Sequence, residues 1–249
     1  MENSIKFLFS GDSALVIEFG NEISVDINKK IRKMMDNIKK ENIDGIIEFV
    51  PTYCSLLVNY DVLKIDYQNL VEKLKTLLND DNETVEDEEV TLIEIPTLYN
   101  DECGPDLSYV AEYNKLSKEE VIKIHTGTDY LVYMLGFMPG FTYLGGMSEK
   151  IATPRLESPR LQIYPGSVGI AGKQTGMYPS MSPGGWRIIG RTPLKLYNPD
   201  SETPVYISSG DYIRYVSISE EEYNDILKKV ESSEYKLNIR RVKRGELNA

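Results

Sequence analysis

Apolar positions along the first 80 residues change period from two to 3.6 and back. Lys6–Phe9 and Ala14–Phe19 read as strands joined by a Ser10-Gly11-Asp12-Ser13 turn. Ile27, Ile31, Met34, Met35 and Ile38 then fall at helical spacing. Ile46–Val50 and Ser55–Asn59 return to strand-like runs around Pro51-Thr52-Tyr53. A second helix is predicted from the single apolar stripe of Tyr67, Leu70, Val71, Leu74, Leu77 and Leu78. Strands mixed with helices long enough to cover one sheet face predict a small ferredoxin-like α+β domain over residues 1–80.

Residues 79–89 carry seven acids in eleven positions, which cannot be buried together. They predict a linker and a domain boundary, set at 81–89. Beyond it, Val90–Ile95 is an apolar run stopped by Pro96. Asp106 is placed to cap a helix containing Leu107, Val110 and Ala111. Ser117 and Glu120 match a capping box, with Leu116 and Val121 as its staple, for a helix running to His125 and ending at Gly127. From 130 to 218 the helical period vanishes. Leu131–Leu135, Val168–Ala171, Arg187–Ile189, Leu194–Tyr197, Val205–Ile207 and Tyr212–Val216 alternate with Gly/Pro turns. That spacing predicts a β-barrel or sandwich within a domain over 90–235. Ser219 and Glu222 would open a closing helix over Ser219–Val230. Residues 236–249 hold Lys236, Arg240, Arg241, Lys243 and Arg244 and read as a solvated basic tail.

The 249-residue chain has a net charge of −11, which argues against nucleic acid as a general partner. It contains no apolar run long enough for a membrane span. Met1-Glu2-Asn3-Ser4-Ile5-Lys6 lacks the layout of a signal peptide. Cys54 and Cys103 show no metal spacing and are expected to be reduced thiols of a cytoplasmic protein. Against that acidic background, residues 130–195 hold 11 of the 18 glycines, 7 of the 12 prolines, and seven Lys/Arg against two acids. A rigid, glycine-lined, cationic stretch suits a small anionic ligand; a loop-rich barrel would also need those turns.

Several residues there carry candidate chemistry. Ser167-Val-Gly-Ile-Ala-Gly-Lys-Gln174 approaches a phosphate loop, but Ser167 and Gln174 replace the first glycine and the last hydroxyl of that motif, so no phosphate loop is assigned. Pro154-Arg155 and Pro159-Arg160 fix the backbone ahead of two guanidinium groups, and arginine grips carboxylate or phosphate with paired hydrogen bonds. His125, the only histidine, is either a general acid/base or a helix-end residue satisfying terminal carbonyls. No cluster has metal-ligand spacing, and no metal site is expected. Phe137, Phe141 and Tyr143, within the aperiodic run Gly136–Gly146, are placed to wall a pocket or dock a partner. Trp186, the only tryptophan, sits between a diglycine turn and a strand, with Arg187 and Arg191 beside it.

Taken together and in order, Gly136–Gly146, the two Pro-Arg pairs, Gly166–Gly172, Gln174–Pro179, Ser182–Trp186 and Ile189–Thr192 resemble the PxpB/KipI family. This is the family of the B component of bacterial 5-oxoprolinase, also known as allophanate hydrolase subunit 1 or sporulation-kinase inhibitor. Gly104-Pro105-Asp106-Leu107 and the His125 segment fit as well. The chain departs from the family pattern at Pro165, one position late, and at Lys173, where an uncharged residue is usual.

The resemblance implies an N-terminal α+β domain followed by a cyclophilin-like β-barrel. It implies partners, a PxpA-like component and a PxpC-like component with a related barrel, and an assembly that opens 5-oxo-L-proline to L-glutamate at the expense of ATP. The ATP, with magnesium, would be bound by this chain or by a partner. Under this implication His125 transfers protons, Arg160 grips the anion, and Ser167 and Gln174 donate to a developing oxyanion. Arg155, Lys173, Tyr178, Trp186 and Arg191 contact substrate, while Phe137, Phe141 and Tyr143 dock the partner. The same family also implies two alternatives: an inhibitor that docks on a sensor histidine kinase, and a component for urea- or allophanate-type amides.

Overall fold

A computed structural model describes residues 5–78 and 89–248, which belong to two compact units, Met1–Thr84 and Val85–Ala249. The predicted linker lies outside the described residues, except that Glu89 already opens a strand.

In the first unit, β1 (Lys6–Phe9), β2 (Ala14–Glu18), β3 (Ile46–Pro51) and β4 (Ser55–Tyr60) form one sheet in the order β1-β2-β4-β3, every neighbouring pair antiparallel. Helix α1 (Val25–Glu41) carries the chain from β2 to β3, and β4 then inserts between them. Helix α2 (Tyr67–Thr76) follows, its N-terminal amide of Asn69 capped by Asp66 at 3.0 Å. The predicted stripes meet the sheet: Ile31, Met34 and Ile38 of α1 and Leu70 and Leu74 of α2 are buried with Leu15, Ile17, Leu56 and Val58 in one core. Alternation along β2 and β4 supplies the sheet's half of that core, as a period of two requires.

The second unit is mixed α/β, and among the described residues its strands stay in three separate sheets with no closed barrel. The largest has the order β14-β5-β13-β6-β7, with β5 (Glu89–Thr97), β6 (Asp129–Leu135), β7 (Thr142–Gly145), β13 (Tyr212–Ser217) and β14 (Ile239–Lys243). Strand β5 runs parallel to β13 and is flanked on its other side by β14. The basic end of the chain is therefore an edge strand rather than a free tail, with Arg240 ion-paired to Glu94. A second sheet joins β10 (Gln174–Met177), β9 (Ser167–Ala171) and β12 (Arg187–Arg191); a two-stranded ribbon joins β11 (Ser182–Gly184) and β8 (Arg160–Ile163).

Helices α3 (Leu107–Asn114) and α4 (Lys118–Thr126) pack Leu107, Val110, Ala111 and Val121 into the core of these sheets. Both anticipated capping boxes form, at Ser117/Glu120 on α4 and at Ser219/Glu222 on α5 (Glu220–Glu231). Two expected strands do not form. Leu194–Tyr197 and Val205–Ile207 are irregular, because Pro193, Pro199 and Pro204 lack the N–H groups that a ladder needs. Leu194, Leu196 and Ile207 are nonetheless buried, so the apolar pattern reports packing here rather than pairing.

Candidate functional site

Asp106 is the N-cap residue of α3, yet its carboxylate makes no cap hydrogen bond. It is 5% exposed and is used over a longer range. Arg160 approaches it with Nη2 2.9 Å from Oδ1 and Nη1 2.8 Å from Oδ2. The Ile188 amide donates to Oδ2 at 2.7 Å, and Nη1 of Arg187 lies 3.8 Å from Oδ1. A buried carboxylate needs several donors to offset lost hydration, and here the first turn of α3, the start of β8 and strand β12 supply or position them. Arg187 also stacks its guanidinium 3.7 Å above the Tyr109 ring, donating from Nε to the Pro154 carbonyl at 3.3 Å.

Arg160 continues to the carbonyl of Trp186 at 3.4 Å, and Trp186 enters an aromatic cluster. Phe141 is its hub. Tyr178, Trp186, Tyr143 and Phe137 all meet it edge-on, with ring centroids 5.4–5.6 Å away. Burial pushes the Tyr178 hydroxyl above its ordinary pKa, and the positive charges of Arg155 and Arg160 act in the opposite direction. That hydroxyl rests against Gly184, where a Cβ would stand 2.4 Å from the oxygen, so only glycine fits. Arg155 is exposed, and among the described residues no carboxylate pairs with it. Arg155, Arg160, Tyr178, Trp186 and the aromatic loop are thus brought together, as a rigid wall carrying one unspent guanidinium.

Other expected site residues lie elsewhere or behave differently. His125 is fully buried: Nδ1 is 2.8 Å from the Tyr99 hydroxyl and Nε2 is 2.8 Å from Thr175 Oγ1. Thr175 donates its own proton to the Gly169 carbonyl, so the consistent assignment has His125 Nε2–H donating to Thr175 and Tyr99 donating to Nδ1. Burial drives the His125 pKa down to about 3. The ring is neutral and both nitrogens are occupied, which does not suit the expected proton transfer; it locks α4 against β10.

Ser167 is buried in β9, and Gln174 opens β10. The stretch between them is a strand hairpin, without the helix N-terminus that cradles phosphates. Lys173, at its turn, is exposed and paired with Glu149. Arg191 lies over Tyr164, 5.1 Å from its centroid, and beside Tyr223 and Cys103 rather than with Arg160. Of the three expected docking aromatics, Phe141 is 3% exposed and Tyr143 half-buried. Phe137 alone is presented, 68% exposed at φ +59°, within a γ-turn closed by the Met138 amide donating to the Gly136 carbonyl. A bulky residue in that region is strained, and such strain concentrates at contact sites. Among the described residues no group of His, Cys, Asp or Glu could hold a metal ion, and no helix is long and apolar enough to cross a membrane.

Local pattern does not mark Asp106 as a site residue, and it gives no sign of Tyr109, Tyr99 or Thr175. Asp106 carries only the signal of a cap. Its partners stand 54 and 82 positions away, beyond the reach of any short window.

Residues 5–207 match the family described as carboxyltransferase domain, subdomain C and D. The chain is 46% identical over 224 residues to the B component of 5-oxoprolinase from Bacillus subtilis (strain 168), an alignment covering 86% of this chain and 93% of that one. A more distant relative, urea amidolyase of Saccharomyces cerevisiae, is 25% identical over 266 aligned positions that cover 92% of this chain and 14% of that enzyme. Among solved structures, the crystal structure of TTHA0988 superposes with a TM-score of 0.73 at 32% identity, over 83% of this chain and 40% of that chain.

Proposed function

Because the chain belongs to the family of carboxyltransferase-domain subdomains C and D, we propose that it is the B component of a 5-oxoprolinase, acting with PxpA-like and PxpC-like partners to open 5-oxo-L-proline to L-glutamate using ATP. The name of its Bacillus subtilis relative supports both the activity and the existence of partners. The yeast urea amidolyase, in which the matched stretch is a small part of a much longer enzyme, supports a division of labour among linked domains. In this reading the first unit is a ferredoxin-like layer whose edge strand comes first in sequence, and the second is an opened relative of the cyclophilin-like barrel.

The observation that carries the site is Arg155, a guanidinium with no acidic partner among the described residues, next to Arg160 and the Tyr178–Trp186 wall. The substrate's carboxylate docks on Arg155, whose guanidinium can meet both carboxylate oxygens with paired hydrogen bonds. Arg160, fixed by Asp106, adds positive potential without moving. Tyr178 and Trp186, buried behind the two arginines, hold the wall rigid rather than touching the five-membered ring. His125 positions β10 and transfers no proton. ATP binds a partner protein, since the Ser167–Gln174 hairpin offers its phosphates no helix N-terminus.

The test is reconstitution. The chain is purified with its PxpA-like and PxpC-like partners, and glutamate release from 5-oxoproline is followed with and without ATP. ATP-dependent glutamate is the expected result. Failure to associate with a PxpC-like protein, or turnover of urea-type amides but not of 5-oxoproline, overturns the assignment.

A further inference from the structure

The Arg155 side chain is exposed, but its backbone is held. The two peptide planes that flank its Cα are both anchored. In the first, the Pro154 carbonyl accepts from Nε of Arg187 at 3.3 Å. In the second, the Leu156 amide donates to the Gly185 carbonyl at 2.8 Å. Just upstream, Thr153 and Gly172 exchange amide-to-carbonyl bonds at 3.1 and 2.7 Å, and Asn114 donates to the Thr153 hydroxyl at 3.0 Å. Proline also fixes φ at position 154. Once both planes are set, the direction of the Arg155 Cβ is set with them. Residues 185–187 thus clasp residues 154–156 from either side of Trp186.

Arg187 has given up most of its hydration, with a side chain 13% exposed. Asp106 does not account for this. Arg160 already meets both of its carboxylate oxygens at 2.8 and 2.9 Å, and the Ile188 amide adds a third bond. Arg187 stays 3.8 Å from the same carboxylate, beyond hydrogen-bond reach. What it does meet closely is the Pro154 carbonyl and the Tyr109 ring, 3.7 Å from its guanidinium carbon. Tyr109 lies on the exposed side of α3 and stacks in turn on Tyr113, one helical turn along. A flat guanidinium can lie on a ring and still donate sideways from Nε. A lysine ammonium has neither the plane nor that donor.

From this geometry we propose that Arg187, held flat by Tyr109, is a positioning residue for Arg155: it fixes the 154–155 peptide and so aims the guanidinium that receives the substrate's carboxylate. Arg187 serves the reaction only if Arg155 docks the carboxylate as proposed above; its hold on the backbone exists either way.

On the isotope-labelled full chain, the backbone order of Arg155 is measured as the heteronuclear NOE of its amide. Tyr109→Ala and Arg187→Lys are each expected to lower it, and Tyr109→Phe, which keeps the ring, to restore it. In the reconstituted enzyme the first two changes should raise KM for 5-oxoproline about fivefold with kcat little changed, the loss of one hydrogen bond. Tyr109→Phe should again recover the difference. Added to Arg155→Ala, Tyr109→Ala should raise KM no further. Tyr109 is exposed, so its truncation spares the core if Arg187→Lys lowers the melting temperature. An Arg155 amide equally ordered in Tyr109→Ala and Arg187→Lys overturns the positioning role, whatever the kinetics. A further rise of KM in the double variant overturns it too, because the stack would then act other than through Arg155. A KM unmoved by Arg155→Ala, with its amide order still tied to Tyr109, instead overturns the docking role of Arg155 and with it the purpose of the hold.

Discussion

Asp106 and Arg160 close a two-point ion pair across 54 positions of chain, tying the start of α3 to the two-stranded ribbon beneath the aromatic cluster. Both carboxylate oxygens are committed, and the Ile188 amide fixes the carboxylate to β12. The pair is structural in itself and positional in effect, since it sets where Arg160 and Trp186 stand.

Removing one partner should therefore be expensive. Asp106→Ala is expected to cost about 1.5–3 kcal/mol, less than a fully buried pair would, because the Arg160 side chain is 32% exposed. Trp186, the only tryptophan, lies in the same cluster and reports the transition by fluorescence in urea. Asp106→Ala/Arg160→Ala should cost clearly less than the two single changes summed; strict additivity would refute the coupling.

Gly184→Ala should destabilise the second unit by about 1–3 kcal/mol, because its methyl would meet the Tyr178 hydroxyl and the Ile163 side chain. Tyr178→Phe in the Gly184→Ala background removes the nearest atom and should recover part of the loss. A thermal midpoint unchanged by Gly184→Ala alone would mean that the wall is looser than the geometry implies.

The acid response follows from His125. Its folded-state pKa of about 3 lies below the unfolded value of about 6.5, so protons favour the unfolded chain. Stability from this group is complete above pH 6.5 and declines as pH falls from there toward 3. At pH 5 the loss is about 2 kcal/mol, from 1.36 kcal/mol per pH unit. Since the chain has one histidine, its ring resonances are unambiguous. They should not titrate between pH 8 and 5 while the protein is folded; a midpoint near 6.5 would contradict the buried, neutral ring.

In the reconstituted enzyme, Arg155→Ala is expected to raise KM for 5-oxoproline at least about tenfold with kcat little changed, as loss of uniform binding requires. Lys173→Ala, at a paired and exposed hairpin turn, should leave both constants alone. Equal effects of the two changes would remove the reason for placing the anion at Arg155.

Much of the fold is written in local pattern. The stripes of α1 and α2, both capping boxes and strands β2, β4, β6 and β13 follow from period and punctuation alone. What local pattern cannot supply is pairing over distance. Leu194–Tyr197 and Val205–Ile207 look like strands but are buried loops, and Arg240–Lys243 looks like a solvated end but is a strand. The site divides along the same line. Trp186, Tyr178, Phe141, Arg155 and Arg160 share a neighbourhood that composition hinted at. Arg191 and Lys173 share the composition without the neighbourhood, and His125 carries the residue type of a catalyst in the setting of a core. Asp106 announces a helix start and spends its charge on residues that a local window never sees.

The pairing of β5 has a consequence for biogenesis. Within its sheet this strand touches only β13 and β14, so an apolar stretch made near residue 90 waits for partners made after residues 210 and 238. During synthesis the growing polypeptide must carry that strand unpaired until residues 212–217 and 239–243 have emerged, a long-range closure that is slow by nature. The acid-rich residues ahead of it, 80–89, are well placed to act as gatekeepers, repelling neighbouring nascent chains until the last strand arrives.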